Sequence, residues 1–394
     1  MREGDPRTVL ILHNYYQQPG GEDEVFATEA RLLEERGHTV VRYTVHNDSI
    51  SGRGGARLAL DTMWNRDSYR ALREVIRGER PDIVHSHNTF PLISPAAYYA
   101  AHAEGVPVVQ TLHNYRLFCV NAQFYRDGRP CEDCLGRPLA WPGVLHSCYR
   151  SSRPASAVTA TMLAVHRGMG TWKNRVSRYI ALTDFAREKC IAGGLPAERV
   201  VVKPNFVHPD PGAGDGEGGY ALFVGRLSPE KGVLTLLRAW ERAGALLPLK
   251  VVGDGPLAEQ VREAARCNPA IEYVGRKAPA EVIDLIGSAL CMVCPSEWYE
   301  GFPRVVVESL ARGTPIIAAR IGSLADVVDD GRTGMHFEPG DSDDLVTRLE
   351  RFRADEGART VMRHAARAEF LASYTADVNY EKLMEIYRSC AATS

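Results

Sequence analysis

The sequence has 394 residues, with 47 Lys or Arg against 49 Asp or Glu, a formal net charge of −2. Apolar residues make up 45% and charged residues 24%. These values exclude a disordered chain and a uniformly basic coat for nucleic acid, and the length suits two domains.

The first apolar run, Val9–Leu12, is too short for a signal-peptide core. No stretch approaches the ~18 apolar residues of a membrane span. A cytoplasmic location is expected. Nine cysteines, an odd number without a secretion signal, suit thiols or metal ligands better than disulfides.

Thr8–Leu12 is predicted as a strand, Gly20 and Gly21 as a loop, and Glu24–Arg36 as a helix ending at Gly37. Strands follow at Thr39–Thr44, Asp82–His85, Val106–Thr111, Tyr179–Thr183 and Val200–Lys203. Lys203–Tyr220 is dense in Pro and Gly and lacks periodicity, which is linker chemistry. The alternation restarts with strands at Tyr220–Val224, Leu249–Val252, Ile271–Val274, Ala289–Cys294 and Pro315–Ala318. Strands separated by helices imply parallel pairing, so the fold class is α/β, two doubly wound domains joined near residue 210. A last amphipathic segment, Val378–Arg388, has no following strand to serve.

Two constellations carry chemistry. In the first, Phe223–Gly232 reads FVGRLSPEKG, leaves a strand and opens a helix. Gly225 permits a tight exit, and Arg226 and Lys231 place two cations where open α/β sheets bind ligands. They suit a diphosphate, although two solvated loop cations would look the same. In the second, Ser296–Leu310, Pro303 suits the first turn of a helix and Gly313 its end. Gly301 and Phe302 bring backbone amides to the helix mouth. Glu300 before the helix can accept sugar hydroxyls, and Glu308 within it ribose hydroxyls. The bland reading makes Glu300 a cap and Glu308 a surface charge. Glu308, however, is flanked by Val305–Val307 and Leu310, and a buried carboxylate there needs a partner.

VGRLSPEKG followed by EGFPRVVVESLARGTPIIA resembles the retaining nucleotide-sugar glycosyltransferases of family four. Their hallmark is two glutamates separated by seven residues, as in Glu300 and Glu308. GGEDEVFATEARLLEERGHTV, PDIVHSHN, VGDGP and YVGRK, the last containing Arg276, also look like that family. The resemblance runs from about residue 8 to the C-terminus. It implies the GT-B fold, two Rossmann-like domains facing each other across a cleft that holds the active site. Residues 1–205 would form the acceptor-side domain and 206–375 the donor domain, with 376–394 crossing back to the first. It further implies Arg226 and Lys231 on the diphosphate, Glu308 on the ribose, and Glu300 with Gly301 and Phe302 on the donor sugar. Gly20 and Gly21 would approach the phosphates, and no catalytic metal would be needed. His113, directly after a strand, would face the reacting sugar, unless local backbone satisfies it. His85 and His87 are read as structural or acceptor-side.

The expected reaction is front-face transfer of a hexose-type sugar, UDP being the family's commonest donor, to a glycan, glycolipid or natural-product hydroxyl. A sugar-nucleotide epimerase or phosphorylase on the same fold, and a non-catalytic sugar-nucleotide-binding protein, remain as alternatives. Asp341-Ser342-Asp343 imitates a D-x-D metal motif, but it precedes an apolar helix and reads as its cap.

Cys119, Cys131, Cys134 and Cys148, spaced C-x11-C-x2-C-x13-C in the loop 116–150, are candidate ligands of a structural zinc, with His146 in reserve. Redox pairing and unligated thiols are the other readings. Cys291 and Cys294 also form C-x2-C, but residues three apart on a strand face opposite sides and suit the core.

Residues 1–205 hold 26 basic and 21 acidic side chains, and 206–394 hold 21 and 28. No acid occurs between Cys134 and Thr183, where Arg137, Arg150, Arg153, Arg167, Lys173, Arg175 and Arg178 lie. Arg53 to Arg80 adds seven arginines against four acids. These are either solvated helix faces or an electropositive acceptor surface for a lipid-linked diphosphate, an anionic glycan or the inner membrane face. The stretches carry no recognised nucleic-acid-reading motif.

Overall fold

The computed structural model describes residues 2, 4–17, 20–50, 52, 54–243 and 246–391. They form two compact units. The first comprises the chain up to Phe124, Glu132–Pro204 and the segment from Asn379 onward. The second comprises Tyr125–Cys131 and Asn205–Val378. Residues 125–131 thus group with the second unit, whereas the sequence reading put the whole cysteine-rich loop in the first.

The strands of the first unit are β1 (Thr8–Tyr15), β2 (Thr39–His46), β3 (Ile83–Ser86) and β4 (Val108–Thr111). The short hairpin β5 (Tyr125–Arg126) with β6 (Arg129–Pro130) comes next in the chain but groups with the second unit, and β7 (Arg178–Ala181) and β8 (Val200–Val202) complete the first. The parallel sheet runs β2-β1-β3-β4-β7-β8. In the second unit β9 (Ala221–Val224), β10 (Leu249–Val252), β11 (Ile271–Gly275), β12 (Cys291–Cys294), β13 (Ile316–Ala319) and β14 (Gly334–Phe337) form a parallel sheet ordered β11-β10-β9-β12-β13-β14. Every residue of β3, β4, β12 and β13 is buried, as parallel sheets under crossover helices require.

Three elements differ from expectation. β1 extends past its apolar run through His13 and Asn14, both fully buried. Asn14 can sit there because its amide is bonded: Asn14 Nδ2 donates to Asn47 Oδ1 (2.8 Å) and Asn14 Oδ1 accepts from the Leu92 amide (2.8 Å). β14, Gly-Met-His-Phe, has no apolar run to announce it. Its place is set by contact, since a Cβ on Gly334 would lie 1.9 Å from the Ile316 carbonyl.

The third difference is the segment expected to be a linker. It has no helix or strand, yet it is strapped to the second unit. Gly216 N donates to Gly287 O (3.0 Å) and Gly218 N to Ser288 O (2.8 Å). Arg312 Nη1 reaches Pro211 O (2.7 Å), and Arg363 Nη2 reaches Gly214 O (2.9 Å). The glycines serve close backbone approach here: a Cβ on Gly214 would meet Gly287 O at 2.2 Å.

Asp341 caps the helix Ser342–Ala354, accepting from the amides of Asp343 (2.9 Å) and Asp344 (3.0 Å). Cys291 and Cys294 are core residues whose thiols burial pushes up to about 12, well above the working range of a nucleophile or metal ligand.

The final helix, Ala376–Ala391, completes the first unit from Asn379 onward. Asn379 Nδ2 donates to Pro204 O (2.7 Å), Tyr380 OH meets His38 Nε2 (2.8 Å), and Tyr387 OH meets His85 Nδ1 (2.7 Å).

Candidate active site

In the second unit β9 and β12 lie side by side, yet β9 leads to β10 on one flank and β12 to β13 on the other. Ligands of open α/β sheets bind at such a divergence, beyond the strands' carboxyl ends. Gly225–Lys231 follows β9 and Ser296–Pro303 follows β12, so both constellations arise at this point. A Cβ on Gly232 (φ +68°) would lie 1.7 Å from the Pro295 carbonyl, so glycine there lets the two connections touch.

That contact positions Lys231. Its Nζ lies 2.7 and 2.9 Å from the two oxygens of Glu300, which is only 5% exposed. Ser296 Oγ donates to Glu300 Oε1 at 2.6 Å. Phe302 is buried, and Gly301 O accepts from Ser323 Oγ at 3.2 Å. Arg226 and Arg276 are exposed. Pro303 immediately precedes the helix Arg304–Ala311 as its cap, not inside its first turn. Glu308 is buried as expected, but its partner is protein: Arg304 Nη2 lies 2.9 Å from Glu308 Oε1. Its burial alone therefore does not call for a ligand.

In the first unit Gly20 caps the helix Gly21–Glu35, and both glycines are exposed. Asp23 fixes this turn, accepting from Gly20 N (2.8 Å) and His13 Nε2 (2.7 Å). His113 follows β4 at one further residue's distance. Its Nε2 is 3.0 Å from His87 Nδ1, and the rings stack with centroids 5.2 Å apart. A side chain, not local backbone, is thus its partner. His85 is structural, bridging Tyr387 OH and Thr111 Oγ1 (2.8 Å).

Sequence reasoning missed three groups. Glu22 lies between Asn88 Nδ2 (3.1 Å) and Asn114 Nδ2 (3.2 Å), and burial, with Asp23 beside it, pushes its carboxyl up to about 8. Glu29 and Lys203 form a buried pair at 2.8 Å, 0% and 1% exposed. Only Glu22's place beside the recognised Gly20–Gly21 turn could have marked it. Glu29, His85 and His87 hold ligand atoms within 4.8 Å of one another, but the Lys203 ammonium already supplies the cation.

Burial also pushes His87 down to about 4, from an ordinary 6.5. Below pH 6.5 the unfolded chain takes up a proton that the folded chain refuses. Stability present above 6.5 should therefore be lost as pH falls toward 4, by on the order of 3 kcal/mol. Urea titrations between pH 7 and 4.5 read this loss. His87→Asn should reduce it, leaving the part due to His113, which burial also holds below its ordinary range, and an equal loss in the variant would clear His87.

In the cysteine-rich loop Cys119 and Cys134 are buried and Cys131 and Cys148 half-buried. Cys134 Sγ lies 3.5 Å from where a Cβ on Gly143 would stand, and the Cys148 amide donates to the Gly143 carbonyl at 2.9 Å. Cys134 also packs with Val120, Ala140 and Ala160.

Residues 19–211 match the Glycosyltransferase Family 4 and residues 209–369 the Glycosyl transferases group 1. The chain belongs to these glycosyltransferases. A sulfoquinovosyl transferase, SQD2, of Arabidopsis thaliana is 32% identical over 162 residues, 40% of this glycosyltransferase and 31% of the relative. The glycogen synthase of Mycobacterium tuberculosis is 28% identical over 311 residues, 76% of this chain and 66% of that one. The match thus spans less than two thirds of either relative. Alr3699/HepE of Anabaena, solved in complex with UDP, superimposes with a TM-score of 0.66 at 17% identity, covering 96% of this chain and 98% of the other. That likeness identifies the fold of this glycosyltransferase as GT-B.

Proposed function

We propose that this glycosyltransferase moves a hexose-type sugar from a UDP-sugar to an acceptor hydroxyl with retention at C1. The observation that carries the reading is the Lys231–Glu300 pair at the divergence of β9 and β12, beside the exposed Arg226. The UDP held by the Anabaena neighbour favours that base. Arg226 and Lys231 would stabilise the departing diphosphate, Glu308 would hold the ribose, and Glu300 with the Gly301 and Phe302 amides the sugar. Arg276 and the Gly20–Gly21 turn would complete the donor contacts. The C1–oxygen bond breaks with its electron pair going to the diphosphate. The acceptor oxygen bonds C1 on the vacated face, and its proton passes to a phosphate oxygen. Glu300 suits positioning better than attack, because Lys231 and Ser296 already engage both its oxygens. Nucleotide release should be assayed against a panel of UDP-, GDP-, ADP- and TDP-sugars, with UDP-sugars expected to react. Release from none would favour a binding protein.

The acceptor is read as lipid-linked, met at an anionic inner membrane face. Among the described residues no helix is long and apolar enough to cross a membrane. Leu139, Trp141 and Leu145 are each about half exposed within the acid-free stretch, and the Arg137 guanidinium lies 5.4 Å from the centroid of the Trp141 ring. Apolar side chains among cations fit a charged headgroup layer. Vesicles with anionic lipid should sediment the protein in a salt-sensitive way, and Trp141→Ala should weaken this. Equal recovery on neutral vesicles would sink the idea.

Zinc is read as the staple of the four-cysteine loop, whose Gly and Pro content builds little core of its own. The Cys134 thiol and the Cys148 backbone amide both lie against Gly143, which supports it. Purified protein should carry about one equivalent of zinc, as one tetrahedral site requires, and chelation should expose thiols and lower Tm. Metal near zero with four reactive thiols would end it.

A further inference from the structure

His113 is the surface end of a buried chain of ionisable groups. Its Nε2 meets His87 Nδ1 at 3.0 Å. His87 Nε2 lies 3.2 Å from Glu29 Oε1, a charge contact outside hydrogen-bond geometry, and has no hydrogen-bond partner. Glu29 Oε2 accepts from Lys203 Nζ at 2.8 Å, and Lys203 Nζ also reaches Asn379 Oδ1 at 3.1 Å. His87 is 3% exposed and Glu29 wholly buried, whereas His113 is half-buried.

From this geometry we infer that Glu29 and His87 are positioning residues that hold His113 as the Nε2–H tautomer, leaving its Nδ1 bare to accept a hydrogen bond from a donor-sugar hydroxyl. The inference rests on the reading of His113 as the sugar-facing histidine.

Lys203 and His85 hold Glu29 well below the usual carboxylate range, so Glu29 is an anion and can only accept. The His87 nitrogen facing it, Nε2, must then carry the proton. Burial keeps His87 neutral at working pH, so it has one proton and its Nδ1 is bare. A bare Nδ1 can only accept, so His113 Nε2 carries the proton that His87 receives. His113 is itself held neutral, by burial and by His87 and His13, which leaves Nδ1 as its acceptor. His85 leaves this order intact, because its Nδ1 shares Glu29 Oε1 at 3.1 Å from the other side and its Nε2 meets Thr111. An imidazole free to switch tautomer would present the wrong group for part of the time, and fixing it removes that fraction.

The test reads the tautomer directly. The protein carries twelve histidines, and His113 is assigned in [15N]histidine-labelled protein by the signals lost in His113→Gln. Long-range 1H–15N correlation at pH 7 should give wild-type His113 a bare Nδ1 and a protonated Nε2. His87→Ala should shift His113 to a mixture of tautomers. His87→Asn should restore the wild-type pattern, because its Oδ1 replaces Nδ1 as an acceptor. Glu29→Gln/Lys203→Met, which removes the charged pair together, should also give a mixture. The two mixed-tautomer variants should lose about tenfold in kcat, the scale of one hydrogen bond to substrate. Should the double variant fail to fold, the Ala and Asn comparison at His87 still decides. A proton on Nδ1 in the wild type, or an unchanged tautomer in His87→Ala, overturns the inference. A wild-type protein that transfers no sugar overturns the functional reading alone, since the spectra need no turnover.

Discussion

Lys231→Ala should lower kcat/KM for the nucleotide-sugar by roughly 10²–10³-fold, the cost of removing one preorganised donor aimed at developing charge. Two effects combine. The departing diphosphate loses a cation, and Glu300 keeps a carboxylate that is 5% exposed with its ammonium partner gone. A buried carboxylate that has lost its counter-charge is costly even with Ser296 Oγ still donating to it, so Glu300 should swing toward other donors. Lys231→Arg keeps the charge but should recover little. The lysine ammonium is a compact point between two oxygens at 2.7 and 2.9 Å, and a planar guanidinium cannot occupy that point. Glu300→Gln combined with Lys231→Ala should cost far less than the sum of the two single losses, because the groups act as a unit. Steady-state kinetics with calorimetric UDP binding separates the parts. An alanine variant retaining half of wild-type kcat/KM would remove Lys231 from the chemistry.

Lys203→Met should destabilise the first unit by about 3–5 kcal/mol, the cost of breaking a buried pair from one side. The pair is 2.8 Å long and joins residues 174 positions apart in sequence. Methionine fits the stem of the lysine, so the loss would come from stranding Glu29 rather than from a cavity. Adding Glu29→Gln should return most of the stability, since neither partner is then charged. Urea unfolding of the two variants measures this. A shift below about 1 kcal/mol for Lys203→Met, the ordinary scale of an exposed pair, would mean that Glu29 is otherwise compensated.

The two constellations of the second unit were legible because their chemistry is local. Gly225, Arg226 and Lys231 share one loop, and Glu300 to Glu308 another. Strand alternation then brings those loops together without further information. The buried network of the first unit was not legible for the opposite reason. Glu29 sits on the buried face of an otherwise ordinary helix, and nothing near it announces Lys203. Glu308 shows the limit of arguing from a missing partner, because a partner one helical turn away, Arg304, is invisible to a hydropathy pattern. The Lys203–Tyr220 segment misled in a related way. Glycine and proline signal absent periodicity, and a strap bound through backbone atoms has none to show. β14 was missed because four residues with one polar side chain carry too little signal.

The order in which the first unit is made carries its own consequence. Its chain is not continuous: after Pro204 it resumes only at Asn379, whose side chain meets both Lys203 and Pro204. A ribosome working at roughly 5–20 residues per second would take about 9 to 35 seconds to cover that interval. Throughout it, Glu29, Lys203 and His85 await Asn379 and Tyr387. The nascent first unit should therefore stay sensitive to protease until Asn379 and Tyr387 have been made, with the second unit already folded. Cutting the chain before Asn379 would leave that half permanently in its unfinished state.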